Sequence, residues 1–170
     1  LSLRTAEGEF VDIVSGSNSQ IPSSGGFSHD DRYLYICETK DQSVTLFDVS
    51  KATIQTIGKL STPRCGERSG QGSPFSRSTM NFALRIDDRR IAKFKYTEKS
   101  LQQDVIEVPD SGEPAKYLLV GHQFIDDALF AVLAKTSSKV ESGASPGAYS
   151  ELYLARETGG QFSVIGYFGK

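Results

Sequence analysis

The chain repeats a short pattern three times. "FSHDDRYLYICET" (27–39) is echoed by "LRIDDRRIAKFKYT" (84–97) and by "FIDDALFAVLAKT" (124–136). Each copy carries an apolar residue, a tight turn with paired aspartates, and an alternating run. The pairs are Asp30 and Asp31, Asp87 and Asp88, and Asp126 and Asp127. A hairpin pattern follows each copy: "SVTLFDVSKATIQTIGKL" (43–60), "DVIEVPDSGEPAKYLLVG" (104–121) and "ELYLARETGGQFSVIGYFG" (151–169). Pro109 to Pro114, and the pair Gly159 and Gly160, supply turn chemistry for two of these. "LSLRTAEGEFVDIVSG" (1–16) reads as a half copy, so the sequence opens midway through a unit.

Four short strands in about 40 to 50 residues, repeated, is the period of propeller blades. No apolar periodicity of 3.6 residues is sustained, so helix is expected to be scarce. The expected fold is therefore all-β: a small β-propeller-like domain spanning 1–170, with about three four-stranded blades and an N-terminal hairpin. The units fall at 1–16, 27–60, 82–121 and 124–169. A β-sandwich is the alternative, because short strands with regular turn signals fit it too. Period-2 placement puts Leu34, Ile36, Leu46, Ile57, Leu84, Phe94, Leu129 and Val132 in the core.

The Asp-Asp pairs read as structural. A catalytic pair is needed once, whereas this one recurs, and aspartate suits turns because its carboxylate accepts backbone N–H bonds. Arg32 is expected to pair with a carboxylate at an exposed corner and to contribute little.

The first complete unit, "GGFSHDDRYLYI" continuing to "SVTLFDVSKATIQTIGKL", resembles the blades of bacterial periplasmic propellers of the TolB-like and WD40-like group. Phe27, Ser28, Asp30, Arg32 and Leu34 fill the places of that group's turn and strand, with Asp31 where glycine is usual. Residues 1–60 are also similar to small propeller-like immunity proteins that inhibit type VI secretion amidases in the periplasm. That resemblance implies an inhibitor whose polar inter-strand loop enters a toxin's groove. The matching loop here is "ETKDQS", which makes Gln42 and Ser43 the reaching residues. It also implies a periplasmic or secreted location and a protein partner, such as a secreted toxin or amidase.

The longest irregular stretch is "STPRCGERSGQGSPFSRSTMN" (61–81). Loops beyond roughly 12 to 15 residues in compact domains are usually functional or disordered. This one carries Arg64, Arg68, Ser73, Phe75 and Arg77, with Glu67 its one acid. It is expected to bind a partner, with arginines to pair carboxylates and Phe75 as an aromatic anchor; a solvated insertion is the alternative. From Lys59 to Lys99 there are ten Lys or Arg against four Asp or Glu, which points to a positive face. Lys93 and Lys95 share one side of a strand. A second long loop, 136–150, is rich in Ser and Gly.

Several functions lack their residues. A net charge of −2 offers no bulk attraction to nucleic acid, and no apolar run approaches the roughly 20 residues of a membrane helix. Two Cys and two His (His29, His122) lie at no zinc-site spacing, so no metal or cofactor is expected. "SGQGSP" lacks the Gly-Lys-Ser/Thr of a phosphate loop, and no nucleophile elbow is present. His122, at a strand end, reads as structural. Cys37 lies in an apolar strand and Cys65 in the long loop, so a disulfide between them and two separate thiols both fit the count. The function expected is a non-catalytic protein-binding module of the inhibitor or immunity type. A propeller fragment serving as an assembly scaffold is the second reading, and an enzyme of unrecognised type a remote third.

Overall fold

The structure is a computed structural model that describes residues 2–4, 10–12, 24–38, 41–51, 53–62, 74–110, 116–136 and 151–169. Every regular element among them is a strand. A two-stranded hairpin, β1 (Ser2–Arg4) and β2 (Phe10–Asp12), comes first. The first sheet is an antiparallel meander of β3 (Ser24–Phe27), β4 (Tyr33–Glu38), β5 (Ser43–Asp48) and β6 (Gln55–Ser61). The second holds β7 (Asn81–Arg85), β8 (Arg90–Tyr96) and β9 (Leu101–Glu107). The third holds β10 (Lys116–Ile125), β11 (Ala128–Thr136), β12 (Glu151–Thr158) and β13 (Gln161–Gly169). The all-β expectation of about three small antiparallel sheets after a hairpin holds; among the described residues no segment is helical and no sheet closes into a barrel.

The sheets stack face to face in chain order, and period-2 side-chain alternation explains how. In β4, Tyr33, Tyr35 and Cys37 point one way and pack with Val44 and Leu46 against Phe82, Leu84, Phe94 and Tyr96 of the second sheet. Leu34 and Ile36 point the other way and cluster with Phe47. Both faces of β4 and β5 are therefore buried; β4 is apolar nearly throughout, while β5 buries Ser43, Thr45 and Asp48 between its apolar residues. Cys37 shares the face of Tyr33 and Tyr35 rather than that of Leu34 and Ile36. The second sheet turns Ala83, Ile91 and Ile106 to its far side, against Leu119, Leu129, Ala131, Leu133 and Ala155 of the third. Lys93 reaches across the same junction to Glu157 at 2.7 Å.

Two glycines permit close approach. A Cβ at Gly25 would fall 2.9 Å from the Tyr35 carbonyl oxygen, and one at Gly58 would fall 2.8 Å from Leu101 Cβ of the neighbouring sheet.

The unit boundaries differ from the sequence reading. Lys116–Ile125 pairs with β11, so it opens the third sheet instead of closing the second. The second sheet gains a rudimentary first strand from the long loop: Phe75 forms an antiparallel bridge with Phe82, and Ala83 N–H donates to the Pro74 carbonyl at 2.9 Å. The second unit thus starts near 74, not at 82. Among the eight expected core positions, Ile57 and Val132 are only half-buried. Val132 fails on parity: Leu129, Ala131 and Leu133 share the inner face, and an odd step puts Val132 on the other.

Candidate functional site

The repeat has a different register from the one its aspartates mark. Ser28 N–H donates to the Tyr33 carbonyl at 2.9 Å, and Ser76 N–H donates to the Asn81 carbonyl at the same distance. "FSHDDRY" and "FSRSTMN" are the same turn, each leading from a sheet's first strand into its second. The shared Phe-Ser was the signal in the sequence; Gly, Ser and Arg before it disguised the strand as loop. Asp30 and Asp31 lie in this first turn, as do Asp126 and Asp127 of the third sheet, but Asp87 and Asp88 lie one turn later, between β7 and β8. The three pairs therefore do not share one slot. Their turn chemistry is nonetheless the expected one in two cases: Asp30 accepts from Arg32 N–H at 3.3 Å, and Asp87 from Arg89 N–H at 2.8 Å. Asp31, Asp126 and Asp127 take positive φ (56°, 46° and 63°), a region aspartate tolerates better than most residues.

The first turns of the first two sheets face each other across a cleft of about 370 Å³ with mixed polar and apolar walls. Its walls include His29, Asp30, Tyr33, Arg77, Met80 and Tyr96. Bonds between sheets fix both turns. Asp127, from the third sheet, accepts from Ser76 Oγ at 2.5 Å, from Ser78 N–H at 2.8 Å, and from the Ser78 hydroxyl. These bonds, Ser76 first, hold the Asp127 carboxyl far below the usual carboxylate range. On the other wall, Arg32 reaches Asp48 of its own sheet at 3.2 Å and Glu98 of the second sheet at 2.9 Å. Arg32 is thus more than a corner decoration. Asp48 is 2% exposed; burial alone would raise its carboxyl, but bonds from Ser50 and from Arg32 outweigh that and lower it. The Ser28 hydroxyl donates to Asp30 at 2.6 Å and is the largest cause of that carboxyl's lowered pKa.

The serines of the cleft are therefore committed to structure. His29, Arg77 and Met80 are exposed, and Arg77 makes no ion pair with a described residue. The Tyr33 hydroxyl is buried and lacks a hydrogen-bond partner among the described residues, and burial raises its pKa.

The other predicted residues are placed as follows. Phe75 is fully buried, so it is a core residue and not a partner anchor. Its ring meets Tyr35, Phe82 and Tyr96 at centroid distances of 5.8, 5.1 and 6.1 Å. Ser43 is also buried and donates to Glu38 at 3.1 Å, so it does not reach outward. Gln42 is exposed at the tip between β4 and β5 with φ 46°, and its carbonyl accepts Thr62 N–H at 2.6 Å. It lies at the opposite end of β4 from the cleft. Cys37 is 0% exposed and disulfide-bonded. Arg64, Arg68, Ser73 and Cys65 lie outside the described residues.

Five of the eight described cations of the expected positive face are paired with carboxylates. Lys59 pairs with Glu38, Arg85 with Asp88, Arg89 with Asp110, Arg90 with Asp87, and Lys93 with Glu157. Three of these carboxylates come from outside the 59–99 window, which is why counting within it overstated the charge. His122 is held between the second and third sheets: Nε2 lies 3.1 Å from the Ala83 carbonyl, and Nδ1 is buried without a hydrogen-bond partner among the described residues. Burial lowers its pKa. Among the described residues, no cluster of three or more His, Cys, Asp or Glu is arranged to hold a metal.

No protein-family model and no curated protein matches this sequence. Solved structures do resemble it. A protein from Lactobacillus plantarum superposes with a TM-score of 0.56 at 16% identity, over 99% of this chain and 50% of that one. A functionally unknown protein from Desulfotomaculum acetoxidans gives a TM-score of 0.50 at 15% identity, over 98% of this chain and 49% of its own. At such identities the likeness is one of fold alone. The chain spans about half the length of either neighbour.

Proposed function

We propose that this chain is a non-catalytic protein-binding module that recognises its partner at the turn end of its stacked sheets. The observation that carries the reading is the cleft between residues 28–33 and 76–80. Cross-sheet bonds to Asp127 and Glu98 fix its walls, while His29, Arg77 and Met80 stay exposed over it. A rigid frame presenting a methionine and an arginine that has no ion pair among the described residues suits protein recognition, because both types are enriched at interfaces and little ordering entropy is lost on binding. Arg77 fits a carboxylate of the partner. The Ser28, Ser76 and Ser78 hydroxyls donate to Asp30 and Asp127 and brace the two turns that form the cleft.

Within this reading the partner is an enzyme or secreted toxin that the module inhibits in the periplasm, as in immunity proteins of type VI amidases. That finer assignment rests on the blade-like resemblance of residues 1–60. It brings in Gln42 as a second contact, about 20 Å from the cleft along β4 at about 3.3 Å per residue. A scaffold role within a larger assembly of sheets is favoured by one specific observation, the half-length coverage of both structural neighbours.

The test is affinity capture from cells that produce the protein, comparing wild type with Arg77→Glu, Met80→Ala and Gln42→Ala. At least tenfold less captured partner with Arg77→Glu supports recognition at the cleft. A loss confined to Gln42→Ala moves it to the opposite end. Capture unaffected by any of the three overturns both sites.

A further inference from the structure

Two hydrogen-bonding groups of residues that line the cleft have no partner. The Tyr33 hydroxyl is buried and unbonded among the described residues, and so is Arg32 Nε. Tyr33 as a whole is 3% exposed, and the Tyr96 ring meets it edge-on at 4.8 Å. The Arg32 guanidinium lies over the Tyr33 ring, 5.0 Å from its centroid. Burial raises the hydroxyl's pKa, so it keeps its proton at neutral pH and can donate. Folded proteins seldom leave such groups unpaired, and two of them at one cleft ask for a group that completes both. The carboxylates around them are already engaged. Asp30 accepts from the Ser28 hydroxyl and the Arg32 amide, Asp48 from Ser50 and Arg32, Glu98 from Arg32, and Asp127 from Ser76 and Ser78. What stays unpaired lies on the donor side. Arg32 Nε can only donate, and so can Arg77, which is exposed on the other wall with no ion pair to a described residue. The occupant these groups call for is therefore an acceptor, and the unpaired charge beside it is positive.

We infer that the cleft takes an acidic side chain, a glutamate or aspartate of a protein partner. This rests on the reading of the cleft as a recognition site, and it names what that site recognises. The carboxylate accepts from the Tyr33 hydroxyl and from Arg32 Nε, and Arg77 supplies the opposite charge. An ionised carboxylate has two oxygens and about four lone-pair sites, enough for all three donors. Bonds to an ionised acceptor are shorter and stronger than bonds between neutral groups, so a carboxylate is preferred over an amide of the same shape. Met80, 37% exposed, offers an adaptable apolar contact for the methylene stem. Tyr33 is then the residue that sets specificity, because its hydroxyl is held in place by packing before the partner arrives.

NMR titration of the 170-residue chain with N-acetylglutamate α-amide tests this, with N-acetylglutamine α-amide as the uncharged control at equal ionic strength. The acid is expected to shift the Arg32 Nε–H and Tyr33 ring signals and to bind at least about tenfold more tightly than the amide, the margin of charge-assisted over neutral bonds. Tyr33→Phe removes the hydroxyl and nothing else. It should weaken binding of the acid at least about tenfold, while its thermal midpoint stays level or rises, because an unbonded buried hydroxyl is gone. Arg77→Gln should weaken binding about threefold, as for an exposed ion pair. No shift with the acid, equal binding of acid and amide, or acid binding unchanged by Tyr33→Phe overturns the inference. So does a Tyr33→Phe midpoint lowered by more than about 3 °C, which would mean that the hydroxyl is already bonded in the free protein. Partner capture separates this inference from the reading beneath it. Capture lost with Arg77→Glu but kept with Tyr33→Phe would leave recognition at the cleft standing and strike the carboxylate site alone. Acid binding that depends on Tyr33, in a protein whose capture ignores Arg77→Glu, would leave the carboxylate site and overturn its protein occupant.

Discussion

Phe75 and Phe82 form an antiparallel bridge, and their rings lie 5.1 Å apart in the core between the first two sheets. Phe82 in turn stacks on Phe94 at 4.5 Å and 9°. The bridge converts the end of the long loop into a vestigial strand, and the ring fills the space that strand's side chain occupies. Phe75→Ala should therefore cost about 3 to 5 kcal/mol of stability, the range for a fully buried phenylalanine. Urea unfolding measures it. If stability changes by less than 1 kcal/mol while partner capture falls, the ring is an interface anchor after all.

Asp127 should act on its neighbour's turn more than on its own. Its carboxylate takes both Ser78 donors and the Ser76 hydroxyl. With Asp127→Ala, the Ser78 amide should exchange with solvent at least tenfold faster, while the Ser28 amide, bonded to the Tyr33 carbonyl, should keep its protection. Hydrogen exchange read by NMR distinguishes the two. The carboxyl pKa is depressed in the folded state, so the interaction is fully present above the unfolded value of 3.8 and is lost as pH falls through the lower folded value.

The meander was legible because β4, β5, β8 and β11 alternate or run apolar between strong turn signals. What misled the reading was the Asp-Asp pair, a residue preference shared by any tight turn, which drew Asp87 into the wrong slot. Phe75 was misplaced because its flanks, "GQGSP" and "SRSTM", carry no strand pattern; only its tertiary partners Tyr35, Phe82 and Tyr96 make it core. The positive face was overstated for a related reason. Asp110, Glu157 and Glu38 are distant in sequence and adjacent in space, so no local count of charge includes them. Parity alone would have corrected Val132, since Leu129 and Val132 cannot face the same side of one regular strand.

Acid should weaken the junction between the second and third sheets through His122. Burial holds its folded pKa below the ordinary 6.5, so as pH falls past 6.5 the unfolded chain takes up the proton first. Stability is full above about 6.5 and declines below it, by at most about 1.4 kcal/mol per pH unit, until the folded pKa is reached. Carboxylates add their own slope at lower pH, so the comparison is with His122→Gln, which lacks this one titrating group. The variant should show a flatter stability profile between pH 6.5 and 5. Parallel profiles would mean that the ring gains solvent in the folded protein.

The buried sulfur of Cys37 makes the last prediction. Cys37 is 0% exposed, disulfide-bonded, and packed in the core with Tyr35, Val44 and Phe75. The sequence holds one other cysteine, Cys65, in the loop that leads from the first sheet toward Phe75. A bond between them closes a loop over β5 and β6 and ties the start of that segment to the core its end already enters. On the chain-entropy account such a loop stabilises by about 3 to 4 kcal/mol. Protein isolated without reductant should therefore give no free thiol when titrated in denaturant. Cys65→Ser should lower the urea midpoint in step with that energy, with dithiothreitol lowering the wild type equally and the variant no further. Two titratable thiols in the wild-type protein would refute the pairing.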